Sequence, residues 1–421
     1  MKIQLKKSKL KGEINIVPSK SYAHRLIFAS ALTGKHCEIL NVDLSEDIKA
    51  TLSCIKNFGI DYIYDDINRI IIFNNNDTKS ITDINKYQTK VPIFDCNESG
   101  STLRMFLPIA LTKYKHFIIK GKEKLIERGI SVYEDILNDV KFIKNKNEIE
   151  VIGELKPGIY NLPGNISSQY ISGLLFALPL LDSDSIVNIT TELESKNYID
   201  ITIDVLKKSN IDIVEYDADL KQIETGEKIY HSYTISGNQK YNIDNSIVEG
   251  DYSNAAFIDA FNYLGSDIKI NGLNINSKQG DKIYKNIFEI LNNENATIDI
   301  SNCIDLGPVL FAFSSLKHGA KFVGTKRLKI KESDRGVAMR EELSKFGVEM
   351  VIDDDSIIVK KSEVHPPVTT ISSHNDHRII MSMSLFMSRF DITIDGAEAV
   401  NKSYPNFYRD LESLGANIIY E

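Results

Sequence analysis

The sequence PSKSYAHR, residues 18–25, joins a predicted strand to a predicted helix. Residues 13–17 alternate between polar and apolar side chains, as a half-buried strand does, and residues 26–32 form the apolar run of a buried helix. The first turn of a helix offers free N–H groups and the positive end of the helix dipole. With Lys20 and Arg25 at the same end, this junction is a candidate anion site. An ordinary N-cap beside solvated basic residues explains the stretch equally well.

The same arrangement recurs along the chain. Small or polar capping residues precede an apolar run at residues 97–102, 164–169, 249–253, 303–308 and 374–378. A second helical pattern stops at Gly59, Gly347 and Gly415, where alternation begins, and weaker copies without glycine occur at residues 136–140, 205–211 and 290–296. These features predict six units of roughly seventy residues.

The repeated alternation of strand and helix predicts an α/β (α+β) fold. A chain of 421 residues is too long for one ordinary core, so we expect two domains. If the polar N-termini of the buried helices converge, they form one site, and six unrelated N-caps are the alternative. Residues 216–245 are the least regular stretch, either an excursion or a domain boundary.

Composition excludes several classes of protein. The net charge of -8 disfavours nucleic acid and anionic membranes. No apolar run approaches the ~18 residues of a membrane-spanning helix, and the first residues lack the apolar core of a signal peptide. The four cysteines form no C-x-x-C pair and the eight histidines show no ligand spacing. We therefore expect reduced thiols, a cytoplasmic location and no metal.

Three polar clusters carry groups suited to anion and proton chemistry. Residues 326–335, KRLKIKESDR, combine cations that could grip phosphate with carboxylates that could move protons. Residues 375–378, NDHR, and residues 402–407, KSYPNF, are further clusters at helix starts. Asp305 lies at the head of a buried helix, where carboxylates are also good N-caps. A solvated charged loop or a surface turn is the alternative for each cluster.

Taken together, the motifs resemble a known family. In order, they are PSKS with Arg25, NESGSTLR (97–104), ER (127–128), SSQ (167–169), SKNYID (195–200), EGD (249–251), KESDR (331–335), NDHR (375–378) and KSYP (402–405). The order is that of the 5-enolpyruvylshikimate-3-phosphate synthase family of enolpyruvyl transferases. The resemblance extends from Lys11 to Leu414.

The resemblance implies two similar domains, each of three βαβαββ repeats, connected by two chain crossings. We expect one discontinuous domain of residues 1–19 and 249–421, a second domain of residues 20–248, and an active site in the cleft between them. The implied reaction transfers the enolpyruvyl group of phosphoenolpyruvate to the 5-hydroxyl of shikimate 3-phosphate and releases phosphate. The resemblance implies neither a cofactor nor a protein partner, and we expect a monomer.

Residue roles follow from the matched motifs. Shikimate 3-phosphate is expected at Lys20, Ser21, Arg25, Ser167, Ser168, Gln169, Ser195, Tyr198, Asp305 and Lys331. Phosphoenolpyruvate is expected at Lys20, Gly100, Arg128, Gln169, Arg335, Arg378 and Lys402. Asp305 and Glu332 match the acid–base pair, and Lys20 is a further catalytic candidate.

The chain departs from the common family pattern near the expected phosphoenolpyruvate pocket. Met105 replaces a frequent Pro, Ser101 a frequent Thr, and Gly129 the Pro that usually follows Glu-Arg. Gly100 is the residue whose lack of a side chain leaves room for glyphosate in relatives. We therefore expect glyphosate to inhibit this protein.

Two other functions fit part of the sequence. The sister enolpyruvyl transferase acting on UDP-N-acetylglucosamine shares the fold and the donor, but it usually carries a reactive Cys beyond the first Arg. Here Cys96 precedes Arg104, and residues 104–128 contain no Cys. A non-catalytic phospho-ligand binding module is the second alternative, although such a module has no need to keep both Asp305 and Glu332.

Overall fold

The computed structural model describes residues 1–74, 90–217 and 228–421. The strands are β1 (Lys2–Leu5), β2 (Lys11–Asn15), β3 (Cys37–Leu40), β4 (Tyr62–Asp65), β5 (Ile70–Phe73), β6 (Ile93–Asp95), β7 (His116–Lys120), β8 (Val140–Asn145), β9 (Glu148–Gly153), β10 (Ile159–Leu162), β11 (Ser185–Ile189), β12 (Ile213–Asp217), β13 (His231–Ile235), β14 (Ser246–Ile247), β15 (Asp267–Asn271), β16 (Thr297–Asp299), β17 (Ala320–Val323), β18 (Met350–Ile352), β19 (Ser356–Val359), β20 (Ile371–Ser372), β21 (Ile392–Asp395) and β22 (Ile418–Tyr420).

The helices alternate with these strands. They are α1 (Lys20–Leu32), α2 (Glu46–Asn57), α3 (Gly100–Leu111), α4 (Glu123–Arg128), α5 (Ser131–Ile136), α6 (Ser168–Ala177), α7 (Lys196–Lys208), α8 (Tyr252–Tyr263), α9 (Tyr284–Leu291), α10 (Gly307–Ser315), α11 (Arg335–Ser344), α12 (His377–Met383) and α13 (Phe407–Ser413).

The described residues form two compact units. The terminal unit comprises Met1–Val17 and Glu249–Glu421, and the central unit comprises Pro18–Val248. Each unit has its own hydrophobic core of buried aliphatic and aromatic side chains. The two units are described separately below.

The central unit contains three four-stranded sheets with one topology. Their strand orders are β14-β3-β5-β4, β6-β7-β9-β8 and β10-β11-β13-β12. In each sheet the first two strands are parallel and the remaining pairs are antiparallel. A parallel pair requires a crossover connection, and a helix supplies it between β6 and β7 (α3) and between β10 and β11 (α6). The recurrence corresponds to three copies of a βαβαββ unit.

The terminal unit repeats the same topology. Two of its sheets have the orders β16-β17-β19-β18 and β20-β21-β1-β22, again with one parallel pair followed by antiparallel pairs. Within the described ranges, its third sheet consists of the parallel pair β2 and β15. The N-terminal strand β1 thus lies between β21 and the C-terminal strand β22, which forms one edge of their sheet.

The chain passes from one unit to the other twice, once after β2 and once after β14. Strand β2 precedes α1 in sequence but pairs with β15 in the terminal unit, where Val17 also accepts a hydrogen bond from the amide of Asp251 at 2.9 Å. Strand β14 precedes α8 but pairs with β3 in the central unit, where the amide of Val248 donates to Leu40 at 3.0 Å. Each unit therefore takes the first strand of one repeat from a distant part of the sequence.

In both units, the helices with the most apolar sequences are buried along most of their length, as those sequences predict. Every residue of α10 is buried, as is every residue of α3 except Ser101 and of α6 except Gln169. In α1 only the first two residues, Lys20 and Ser21, escape full burial. The accessible residues of α1, α3 and α6 are therefore polar and lie in the first turn.

Part of the irregular stretch 216–245, residues 218–227, lies outside the described residues. After this gap, β13 inserts between β11 and β12. Among the described helices, none combines the length and apolar character that crossing a membrane requires.

Candidate active site

The N-terminus of α1 carries the first predicted site residue. Lys20 is the first helical residue, and its Nζ lies 2.7 Å from Oδ2 of Asp47 in the first turn of α2. Ser19 precedes it as the N-cap without a side-chain capping bond. The Lys20–Asp47 ion pair therefore fixes a cation at a helix N-terminus, and Asp47 was not predicted from the sequence.

Arg25 is buried behind this N-terminus, with only 2% of its surface exposed. Its guanidinium donates to Oγ1 of Thr202 (2.7 Å), to the carbonyls of Ser21 and Tyr198 (both 2.9 Å) and to Oγ of Ser172 (3.3 Å). Burial lowers its pKa to about 10. Because these acceptors belong to α1, α6 and α7, one side chain fixes the first turns of α1 and α7 relative to each other.

Gly100, the first residue of α3, lies against two arginines. A Cβ atom added there would lie 2.9 Å from Nη1 of Arg104 and 3.0 Å from Nη2 of Arg128. The same Nη1 atom donates to Oε1 of Gln169 at 2.9 Å, and Nε2 of Gln169 donates to Oγ of Ser101 at 3.0 Å. This arrangement brings together a helix N-terminus and two guanidinium groups, which suits an anion.

The remaining predicted residues of the central unit lie at the N-terminal ends of two helices. Ser167 is the N-cap of α6, and its Oγ accepts from the amide of Gln169 at 3.3 Å. Ser195 is the N-cap of α7 with a left-handed backbone at φ 56°. Its carbonyl accepts from the amide of Tyr198 at 3.0 Å. Ser168 is the first residue of α6 and is buried.

Arg335 is the centre of the corresponding cluster in the terminal unit. It is the first residue of α11 and is 1% exposed. Its guanidinium donates to Oδ1 of Asp305 (2.8 Å), Oε2 of Glu332 (2.5 Å) and Oδ2 of Asp376 (2.9 Å). Burial alone would lower the pKa of Arg335, but these three carboxylates outweigh burial and raise it.

Asp305 lies among three cations, in a short 3-10 helix that precedes α10. Its carboxylate oxygens lie 3.1 Å from Nζ of Lys331, 2.8 Å from Nη1 of Arg335 and 3.3 Å from Nη2 of Arg378. Burial alone would raise the pKa of Asp305, but Arg378, Lys331 and Arg335 together hold it well below its usual value. Burial also lowers the pKa of Lys331. The cluster thus couples several titratable groups.

Asp376 connects this cluster to the last polar motif. It is fully buried and is the N-cap of α12, where Oδ1 accepts from the amide of Arg378 at 2.9 Å. Its other oxygen accepts from Arg335 and from Oγ of Ser333 (3.0 Å). Beyond it, Nζ of Lys402 donates to the carbonyl of Asn375 at 2.7 Å. The sequence placed Asp376 in a polar motif but assigned it no role.

Asp281 is a further buried carboxylate near Asp305, and it was not predicted from the sequence. Its Oδ2 accepts from Oγ of Ser253 in the first turn of α8. Burial, followed by the charge of Asp305, raises its pKa to about 6. Only its neighbours in space reveal this environment, since the surrounding sequence carries no charged motif.

The structure thus brings the predicted residues together within each unit. In the central unit, Arg25 is hydrogen-bonded to Ser21 and Tyr198, and Gly100 lies close to Arg128 and Gln169. In the terminal unit, the residues joined by ion pairs are Asp305, Lys331, Glu332, Arg335 and Arg378. Among the residues that the structure describes, no group of three or more His, Cys, Asp and Glu is placed to hold a metal ion.

Comparison with known proteins agrees with the sequence motifs. The family model described as EPSP synthase (3-phosphoshikimate 1-carboxyvinyltransferase) matches residues 5–411. The 3-phosphoshikimate 1-carboxyvinyltransferase of Clostridium kluyveri is 38% identical over 439 residues, covering 99% of this chain and 98% of the relative. That of Clostridium perfringens is 39% identical over 440 residues, covering 98% of each chain.

Solved structures confirm the predicted enolpyruvyl transferase fold. An EPSP synthase from Acinetobacter baumannii superposes with a TM-score of 0.72 at 22% identity, covering 100% of both chains. The enolpyruvyl transferase NikO from Streptomyces tendae gives a TM-score of 0.74 at 13% identity, covering 99% of this chain and 98% of its own. Together with the family match and the relatives, these findings establish that the chain belongs to the EPSP synthase family, the 3-phosphoshikimate 1-carboxyvinyltransferases.

Proposed function

We propose that this protein transfers the enolpyruvyl group of phosphoenolpyruvate to the 5-hydroxyl of shikimate 3-phosphate, giving 5-enolpyruvylshikimate 3-phosphate and phosphate. This is the reaction of the shikimate pathway to chorismate and the aromatic amino acids. The observation that carries the proposal is the partly buried cluster in which Asp305 contacts Lys331, Arg335 and Arg378. Its cations suit phosphorylated substrates, and its carboxylates suit proton transfer.

In the terminal unit, Arg335, Arg378 and Lys402 hold phosphoenolpyruvate, and Asp305 and Lys331 contact shikimate 3-phosphate. In the central unit, phosphoenolpyruvate is held by Lys20, Gly100, Arg128 and Gln169, and shikimate 3-phosphate by Lys20, Ser21, Arg25, Ser167, Ser168, Gln169, Ser195 and Tyr198. The chemistry of these residues supports the assignment. Both substrates are polyanions, and the residues supply cations, hydroxyl groups and helix N-termini, which bind anions.

The reaction is an addition followed by an elimination. In the addition, the 5-hydroxyl oxygen bonds to C2 of phosphoenolpyruvate, the hydroxyl loses its proton, and C3 gains one. In the elimination of the tetrahedral intermediate, C3 loses a proton and the bond between C2 and the phosphate oxygen breaks. We assign Asp305 to the hydroxyl and Glu332 to C3, with Lys20 as a further proton donor, because each step needs a positioned acid or base.

Substrate binding adjusts the basicity of Asp305. With three cations around it, the pKa of Asp305 lies well below its usual value, which makes the carboxylate a weak base. A phosphate held by Arg378 brings negative charge beside Asp305 and offsets part of this cationic field. Asp305 therefore becomes a stronger base once the anionic substrate is bound.

The reaction needs no organic cofactor, since phosphoenolpyruvate carries its own leaving group. All four cysteines are buried free thiols, which favours a reducing, cytoplasmic location. We propose that the protein acts there as a monomer. Glyphosate inhibits it by occupying the space beside Gly100.

The test is phosphate release from phosphoenolpyruvate, measured with shikimate 3-phosphate and separately with UDP-N-acetylglucosamine. We expect release with the first acceptor alone. Release with UDP-N-acetylglucosamine alone would overturn the assigned acceptor. Release with neither acceptor, in a sample that unfolds cooperatively and binds shikimate 3-phosphate by calorimetry, would indicate a binding module instead.

A further inference from the structure

The segment that carries Arg378 contains an unusual turn. We define the turn segment as residues 371–378, from β20 to the first turn of α12. Within it, His374 and Asn375 have consecutive left-handed backbones, with φ of 50° and 53°. Residues with a side chain adopt this conformation at a cost, so the surrounding structure must hold them there. Arg378 lies three residues after this left-handed pair, so its position depends on what holds the pair in place.

One face of α11 supports the turn segment at two points. Arg335 and Glu342 are seven residues apart, so they lie on the same face of the helix. Arg335 contacts Asp376 as described above. Glu342 is 1% exposed and accepts hydrogen bonds from the amide of Ser372 (3.0 Å) and from Nε2 of His374 (2.8 Å). The helix thus holds the segment on both sides of the left-handed pair.

The carboxylate of Glu342 is charged in this environment. Burial alone would raise its pKa, but hydrogen bonds from His374 and Lys345 outweigh burial and lower it. Nζ of Lys345 lies 2.7 Å from Oε2 of Glu342 and also donates to the carbonyl of Thr370 at 2.8 Å. Oε1 of Glu342 therefore accepts from His374 in the turn segment. Oε2 accepts from Ser372, also in the turn segment, and from Lys345, which in turn holds the carbonyl just before that segment.

The neighbouring glutamate provides a natural comparison. The side chain of Glu341 is 54% exposed, and its Oε2 lies 3.8 Å from Nε2 of His374, beyond hydrogen-bonding distance. Glu341 and Glu342 thus have the same charge and adjacent positions but different contacts. Lys402 holds the turn independently through the carbonyl of Asn375 at 2.7 Å.

We propose that Glu342, acting through His374 and the amide of Ser372, is a positioning residue that fixes the left-handed turn and thereby the placement of Arg378. It touches no substrate. The role deepens the proposed function and rests on it in one respect, namely that Arg378 and Lys402 bind phosphoenolpyruvate. Loss of the Glu342 charge loosens the turn at Ser372 and His374, and it weakens phosphoenolpyruvate binding more than it slows the chemical step.

The first test needs no substrate. Hydrogen–deuterium exchange is measured on peptides covering residues 371–378 in the wild-type protein, Glu342→Gln and Glu341→Gln. We expect faster exchange of this segment in Glu342→Gln and wild-type exchange in Glu341→Gln. Unchanged exchange in Glu342→Gln, or equal acceleration in both variants, would overturn the positioning role whatever reaction the protein catalyses.

The second test is kinetic. Glu342→Gln should raise the KM for phosphoenolpyruvate about tenfold, the scale of one hydrogen bond to a charged group, with a smaller change in kcat and in the KM for shikimate 3-phosphate. Glu341→Gln should change none of these. Equal changes in all three constants for Glu342→Gln would overturn the role, because they would indicate general loss of structure.

Two variants of His374 decide the question if Glu342→Gln does not fold. The side chain of His374 is 23% exposed, so its replacement disturbs less of the core. His374→Ala should raise the KM for phosphoenolpyruvate, and His374→Gln, which keeps a side-chain N–H donor, should restore most of the loss. Equal behaviour of the two variants would contradict the proposal. Failure of the proposed function would appear separately, as absent phosphate release in the wild-type protein.

Discussion

The polar clusters of the two units differ in the kind of partner that each buried arginine has. In the central unit, Arg25 donates to hydroxyl and carbonyl groups of three helices. In the terminal unit, Arg335 donates to three carboxylates, of which Asp305 also contacts Lys331 and Arg378. Neutral partners position a cation without changing the protonation of a neighbour, whereas clustered charges shift one another's pKa values. We therefore propose that both units bind substrate, and that the terminal unit in addition supplies the proton-transfer pair Asp305 and Glu332.

The largest expected effect is on turnover, from the terminal unit. Asp305→Asn and Glu332→Gln should each lower kcat by ~100-fold or more, the scale of a positioned acid or base. Steady-state phosphate release measures this. Asp354→Asn is the matched control, since that side chain is 78% exposed. Near-normal kcat in either site variant would remove the distinction between the two units.

A smaller effect is expected from Arg25→Ala. The change removes the donor shared by α1, α6 and α7, so it should raise the KM for shikimate 3-phosphate and lower the free energy of unfolding by about 2 kcal/mol. Its effect on kcat should be lower than that of Asp305→Asn. Urea unfolding and steady-state kinetics on one preparation measure both quantities. A fall in kcat with an unchanged KM would place Arg25 in the chemistry and contradict the comparison.

Gly100→Ala tests the anion site of the central unit. The added methyl group would lie 2.9 Å from Arg104 and 3.0 Å from Arg128, and both contacts are to the ends of flexible side chains that can shift. We expect the inhibition constant of glyphosate to rise by roughly 10-fold or more, as one methyl group in a pocket can cause, with a smaller loss in kcat. Proportional losses in inhibition and turnover would contradict this assignment.

Asp281 should influence the pH dependence of stability rather than the reaction itself. Its folded pKa of about 6 lies above the unfolded value of ~3.9. The folded state therefore binds the extra proton, and the stability linked to this group is lost as pH rises from 4 towards 6. Asp281→Asn should raise the free energy of unfolding at pH 7 by up to about 3 kcal/mol and leave it nearly unchanged at pH 4. Equal changes at both pH values would exclude this environment for Asp281.

Much of the fold could be predicted because its causes are local. The glycines expected to end helices, Gly59, Gly347 and Gly415, all have positive φ, and the apolar runs form buried helices. The pairing of strands that are far apart in sequence could not be predicted in the same way. Strand β14 is only Ser246–Ile247, and β1 pairs with β21 almost four hundred residues later. Such pairing depends on tertiary structure, which periodicity does not record.

The site shows the same division between local and distant causes. Cations and acids within polar motifs, such as Lys331 and Arg335, could be identified from the sequence. Asp305 could be identified as well, but three other buried carboxylates could not: Asp376 looks like an ordinary N-cap, and Asp281 and Glu342 stand outside the motifs. Each acquires its role from burial beside a charge on another element, which only the folded structure reveals.

The most direct test of the division between recognition and chemistry compares Glu332→Gln with Ser168→Ala. For each variant, kcat at saturating substrates and the dissociation constant of shikimate 3-phosphate are measured on the same preparation. We predict that Glu332→Gln lowers kcat and leaves the dissociation constant of shikimate 3-phosphate unchanged. We predict that Ser168→Ala raises this dissociation constant and leaves kcat nearly unchanged. The reverse pattern, or loss of both quantities in both variants, would contradict the account.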